Sequence, residues 1–236
     1  MLQFLLLAAL AGQDDKAVED ALEKFKTDFK ASSDADRARA LTTLSGTAHL
    51  KTLNRIAPFV AADTSVVRIA AAKALGGFTE FRKQAAPALL RGLGANAKEP
   101  AVLIAVLEAL GKLGDGSALP SLYKYFDEKD GKIAAAAFLA VGEIGSTSSV
   151  EPLIEALKKL ERAAKDNGGG GNIAGAGGAG GAAAGYNVPD DDTARRRAKE
   201  VQPAAVKALQ AIAKEKYITV EEWQKWWART RATLGK

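Results

Sequence analysis

Residues 67–78, 102–114 and 133–145 read VRIAAAKALGGF, VLIAVLEALGKLG and IAAAAFLAVGEIG, one helical pattern written three times. Superposing them puts Leu75, Leu110 and Val141 in equivalent places, 35 and 31 residues apart. Each copy is followed by a second apolar segment carrying a proline, Pro87, Pro120 or Pro152, at intervals of 33 and 32 residues. Two helices per unit, repeated at this period, mark an array of helical hairpins. A single hairpin cannot bury its apolar face, so its neighbours must stack on it. The pattern predicts an all-α fold, a right-handed α-solenoid of helical hairpins with a terminal capping helix.

Working outward, Leu44 lies 31 residues before Leu75, which extends the array back to Asp34, with residues 49–61 as partner helix. Before that, Val18, Leu22, Phe25 and Phe29 recur at helical spacing and predict a capping helix with a charged outer face. The start, MLQFLLLAALA, is almost wholly apolar and stops at Gln13 and Asp14. Ala9, Leu10 and Ala11 have the small, any, small order of a signal-peptidase site, although no Lys or Arg precedes the run. Residues 1–12 are thus expected to be a signal peptide, making the protein periplasmic or extracellular; the other reading is a buried helix in a cytoplasmic protein. The run is too short to span a bilayer, and no transmembrane anchor is expected in the mature chain.

Within the array, the three prolines are expected in the first turns of the second helices, where a missing amide proton has no intrahelical acceptor. Ser148 and Glu151 have capping-box spacing. Residues 167–188 form a glycine-rich insertion expected to be a flexible linker, because it has little side-chain material to offset backbone entropy. Its GAGGAG at 175–180 matches the dinucleotide fingerprint only formally, with no strand ahead of it. No cofactor is expected. Beyond it, residues 189–236 return to a helical rhythm, and Asp192 is placed to cap the helix from Thr193. Two registers compete: Pro203 aligned with the second-helix prolines, or Leu209 aligned with Leu44, Leu75, Leu110 and Val141. The second is preferred because ALQAI resembles ALGKL. Thr219 and Glu222 predict a capping box for the last helix, on which Trp223, Trp226 and Trp227 share a face. They either seal the open end of the array or, with Lys225, Arg229 and Arg231, form a partner-binding surface.

Composition agrees with closely packed helices: 47% of residues are hydrophobic but only 6% aromatic, so the core is built from Ala, Leu, Val and Ile. Cysteine is absent, which excludes disulfides and thiolate chemistry. The net charge is +5, and residues 190–236 carry 11 Lys and Arg against 7 Asp and Glu, a local +4. The only histidine, His49, is expected to be a surface or packing residue. No HExxH, paired histidine or EF-hand spacing points to a metal site.

From VVRIAAAKALGGF, AVLIAVLEALGKLGD and KIAAAAFLAVGEIG, each followed by its proline-bearing helix, the chain resembles the HEAT repeat family over residues 34–166. Within it, the chain resembles the bacterial phycobilisome-lyase-like HEAT repeat proteins of the non-enzymatic scaffold type. The terminal WQKWWARTR looks like the closing helix of small exported HEAT-like proteins. The resemblance implies residues 13–166 as HEAT-like repeats, and it implies an inter-repeat structural ladder involving Asp63 and Arg68. It also implies a scaffold for another protein and no enzyme activity, since no catalytic residue matches. A nucleic-acid-binding array is the alternative; it would need Lys and Arg aligned over several repeats, and Arg68, Lys73, Arg82 and Lys83 supply them only locally. An enzyme related to HEAT-like lyases or glycosylases comes last, because all the tryptophans lie in one terminal helix.

Overall fold

The computed structural model describes residues 2–31, 33–165 and 192–234. Their regular structure is helical throughout: α1 Leu2–Asp28, α2 Asp34–Ser45, α3 Leu50–Ile56, α4 Ser65–Gly76, α5 Arg82–Ala95, α6 Pro100–Leu113, α7 Leu119–Tyr123, α8 Gly131–Ile144, α9 Val150–Lys165, α10 Asp192–Ala213 and α11 Val220–Leu234. The expectations for residues 167–188 and for the side chains of the acidic run 190–192 lie outside what is described.

The helices form two layers. The first helices α2, α4, α6, α8 and α10 pack side by side in chain order, and the second helices α5, α7 and α9 each lie against the first helix that follows. This is an all-α array of stacked hairpin-like units, with its core running continuously between the layers. Leu41, Leu44, Leu75, Leu110, Val141 and Leu209 are all buried in that core.

Small residues set the spacing of the first-helix layer. A Cβ on Gly76 would meet Ala109, one on Gly111 would meet Ala140, and one on Gly142 would meet Ala208. The glycine follows the marker position of one helix, and the alanine precedes the marker position of the next. Leu209 is therefore the fifth marker, and Pro203 lies inside α10 rather than at the start of a second helix.

The connections are repetitive as well. Short 3₁₀ turns, Thr79–Phe81, Gly116–Ala118 and Thr147–Ser149, lead into α5, α7 and α9. Gly114 and Gly145 end α6 and α8 in the left-handed region, with φ of 71° and 73°, which a glycine adopts without a Cβ penalty. Two local expectations need correction. Pro120 and Pro152 fall in first turns, but α5 begins five residues ahead of Pro87, placing that proline within the helix. Ser148 does not form a box with Glu151, because the 3₁₀ turn directs its hydroxyl to Ser146, 2.8 Å away.

α1 covers the start of the array. Phe25 is buried, and its ring and that of Phe29 gather around Phe59, with centroids 6.1 and 4.5 Å away. Lys51 ties α3 to α1 through Glu19 at 2.6 Å. Among the described residues, no helix is long and apolar enough to cross a membrane.

Candidate interaction surface

The terminal helix starts as its sequence predicts. Thr219 N donates to Glu222 Oε2 at 3.0 Å and Glu222 N donates to Thr219 Oγ1 at 3.4 Å, the two arms of a capping box. The backbone bond from Thr219 holds the Glu222 carboxyl below its ordinary range. Val220 N donates to Glu161 Oε1 at 3.0 Å, tying α11 to α9. Trp223 is fully buried, with the Tyr217 and Trp226 rings perpendicular to it at 5.3 and 5.8 Å. Trp226 is buried too, and Trp227 lies beside it, half-buried. The tryptophan face thus turns inward, while Lys225, Arg229 and Arg231 are exposed; Lys225 pairs with Glu221 at 2.7 Å. Outward, α11 presents those three cations together with Glu221, Glu222 and Gln224.

Asp63 and Arg68 are not bonded to each other. Each belongs to a rung between successive units: Arg37 Nη1 donates to Asp63 Oδ2 at 2.7 Å, and Arg68 Nη2 donates to Glu99 Oε1 at 2.5 Å. The arginine stands seven residues before its marker leucine, and the acid lies just ahead of the next first helix, so each bond runs forward along the array. Leu103 and Ala134 occupy the corresponding places in α6 and α8, and the rungs end there. Asp63 has φ of 116°, a left-handed backbone held by the Arg37 bond and by its own carboxylate accepting from Thr64 N at 2.7 Å.

The second rung contains a residue that sequence reasoning missed. Asn96 is buried; its Oδ1 accepts from Arg68 Nη1 at 2.7 Å, and its Nδ2 donates to the Val60 and Gly92 carbonyls at 2.9 and 2.7 Å. One amide therefore joins the 3₁₀ turn after α3, α4 and the end of α5. Ser65 Oγ and then Arg68, both bonded to Glu99, hold its carboxyl below the usual glutamate range. An Asn after a helix ordinarily reads as a simple terminator, so its spatial partners left no trace in the sequence. Arg197 was missed for the same reason: from α10 it donates to the Phe126 and Glu128 carbonyls at 2.7 and 2.5 Å.

His49 is the N-cap of α3, accepting at Nδ1 from Lys51 N at 3.1 Å. Among the described residues, no three His, Cys, Asp or Glu side chains converge as a metal site would require.

The outer surface of the first-helix layer has a pattern of its own. Ile69, Ile104 and Ala135 each precede their marker residue by six positions and are half-buried in line across α4, α6 and α8. Val66, 49% exposed, Ala101 and the half-buried Leu139 widen this line into an apolar band. Charge is distributed unevenly too. Residues 64–98 contain six cations, Arg68, Lys73, Arg82, Lys83, Arg91 and Lys98, against the single carboxylate of Glu80, a net +5. This local excess is larger than that of the C-terminal region.

Residues 93–164 match the model of HEAT repeats, and residues 67–94 match that of the PBS lyase HEAT-like repeat. No curated protein matches the chain. Among solved structures, the chain is similar to human deoxyhypusine hydroxylase in complex with glycerol, at 16% identity over 91% of this chain and 96% of that one, with a TM-score of 0.45.

Proposed function

We propose, from the match of residues 67–94 and 93–164 to HEAT-type repeats, that this protein is a non-catalytic scaffold for protein–protein interaction, of the same kind as the phycobilisome-lyase-like HEAT proteins that lack enzyme activity. One observation carries the reading: the apolar band of Val66, Ile69, Ala101, Ile104 and Leu139 runs over three successive first helices without an element of the described chain upon it. A row of partly exposed apolar side chains gives an apolar partner a place to dock. The ladder and the Asn96 bonds hold consecutive units in one relative orientation, which favours a rigid docking face over an adaptable one.

Quantitative crosslinking in the source cell tests the proposal, comparing the intact chain with an Ile69→Glu, Ile104→Glu variant whose helicity is first checked by circular dichroism. The expected result is one reproducible protein, crosslinked around α4 to α8 and lost from the variant. Equal capture by both forms, or crosslinks confined elsewhere, would sink it.

We also propose that the protein is exported and cut after Ala11. Asp15, Val18, Glu19 and Phe25, which tie α1 to the array, lie beyond that point and would stay in the mature chain. N-terminal sequencing of protein recovered from the periplasm or medium should begin at Gly12; recovery solely from the cytoplasm with Leu2 intact would refute export.

A further inference from the structure

The charge of α5 differs from that of α1, α2, α9 and α11. In α1, α2, α9 and α11, cations pair with acids three or four residues away: Lys24 with Asp28, Arg39 with Asp36, Lys158 with Glu155, and Lys225 with Glu221. Residues 81–98 contain no Asp or Glu at all. Arg82, Lys83, Arg91 and Lys98 are exposed, and no carboxylate of the described residues lies within ion-pair distance of them. Glu80 precedes Arg82 but pairs with neither it nor Lys83. Asp115, the carboxylate that feels Arg82 and Lys83 from the next unit, is buried and spends its Oδ1 on Ser117 N at 2.8 Å.

These cations also have an order. Lys83, Pro87, Arg91 and Gly94 follow one another at helical spacing on the exposed side of α5, with the half-buried Leu90 beside them. A Cβ on Gly94 would meet nothing within 4 Å, so the face is open there. Lys98, just beyond the end of α5, is exposed as well.

We propose that the α5 face, with Lys98 beside it, docks an acidic polypeptide segment. Held unpaired on one helix, like charges repel one another, and a partner's carboxylates would remove that repulsion while complementing the patch. A nucleic acid fits less well. α5 bears no aromatic side chain on which a base could stack. The proposal rests on the scaffold reading and gives its partner a chemical character.

The test uses the full chain and a fluorescein-labelled oligoglutamate peptide, followed by fluorescence anisotropy as salt is raised. Arg82→Glu, Lys83→Glu and Arg91→Glu are combined in one variant. Lys225→Glu, Arg229→Glu and Arg231→Glu in a second variant change the net charge by the same amount on α11, and both are checked by circular dichroism. The expected result is salt-sensitive binding weakened by about tenfold or more in the α5 variant and little changed in the α11 variant. Equal weakening in both would reduce the effect to net charge and overturn the proposal, as would tighter binding of oligo-dT or of phosphatidylserine vesicles. Crosslinking separates this inference from the scaffold reading. A cellular partner lost from the Ile69, Ile104 variant but kept by the α5 variant would remove the acidic-segment proposal and leave the scaffold. Peptide binding lost from the α5 variant, with no protein crosslinked to any form, would leave the α5 site and remove the scaffold.

Discussion

Ala208 of α10 occupies the notch left by Gly142 of α8: a Cβ on Gly142 would lie 2.7 Å from the Ala208 Cα. The obstructing atom is backbone, so no rotamer change relieves the overlap. α8 and α10, which α9 and residues 167–188 separate along the chain, are thereby held in the same contact that Gly111 makes with Ala140.

Gly142→Ala should accordingly force α8 and α10 apart and destabilise the protein by about 1–3 kcal/mol. Gly94→Ala is the control, because nothing lies within 4 Å of its Cβ position in α5. There the more restricted unfolded chain should add about 0.5–1 kcal/mol. Urea melts of both variants check the pair, and equal effects would show that the notch does not set the helix spacing.

Ala137 is fully buried in α8. Ala137→Leu should cost about 1–3 kcal/mol by overpacking the seam between layers. An unchanged melting temperature would mean that the seam has room to relax.

Asn96→Ala would take the side-chain donor from the Val60 carbonyl and the acceptor from one Arg68 N–H, while the Gly92 carbonyl keeps its backbone bond from residue 96, at a cost of about 1–3 kcal/mol. Asn96→Asp keeps the acceptor for Arg68 but turns an oxygen toward the two carbonyls, so it should be no better tolerated. A neutral result for Asp in thermal melts would show that the donor bonds contribute little.

Partial desolvation, and then the nearby Glu108, push the Glu143 carboxyl above its ordinary range, partly offset by Lys207 and Lys112. The folded state therefore holds that proton more tightly than the unfolded chain does. Its contribution to stability is fully present below the ordinary glutamate value of about 4.3 and is lost as pH rises through the raised one. Glu143→Gln should raise the melting temperature at neutral pH and leave it nearly unchanged near pH 4. A gain confined to acid would contradict the assignment.

Trp223→Ala should cost about 3–5 kcal/mol, as expected for a buried aromatic, and Trp227→Ala distinctly less. Charge reversal at Arg229 or Arg231 should leave stability within about 0.5 kcal/mol. Differential scanning calorimetry of this series measures how far α11 acts as the seal of the core, since equal costs for the two tryptophans would not fit their different burial.

Much of the fold was legible in the sequence because helix packing constrains local residue types. Leu75, Leu110 and Val141 recur because each first helix must present a large apolar group to the same core. The alanines around them recur because the helices approach closely. The capping box of Thr219 and Glu222 was legible because both partners lie within one turn. Pro87 and Ser148 were misplaced because a 3₁₀ turn ahead of each second helix shifts where helical geometry begins, and periodicity does not register such a turn.

The site residues divide along the same line. Sequence alone determined the repeat, the marker positions, the preferred register at Leu209 and the terminal helix bearing Trp223, since these depend on neighbours within a few residues or on a pattern that repeats. Only tertiary structure decided that Arg68 bonds Glu99 and Asn96, that Asp63 belongs to Arg37, and that the cations of α5 stand unpaired. Those relations join residues from different units. Their partners are chosen by how far one hairpin is displaced from the next, a quantity set by backbone contacts such as Gly142 with Ala208 and written in no single segment of the chain.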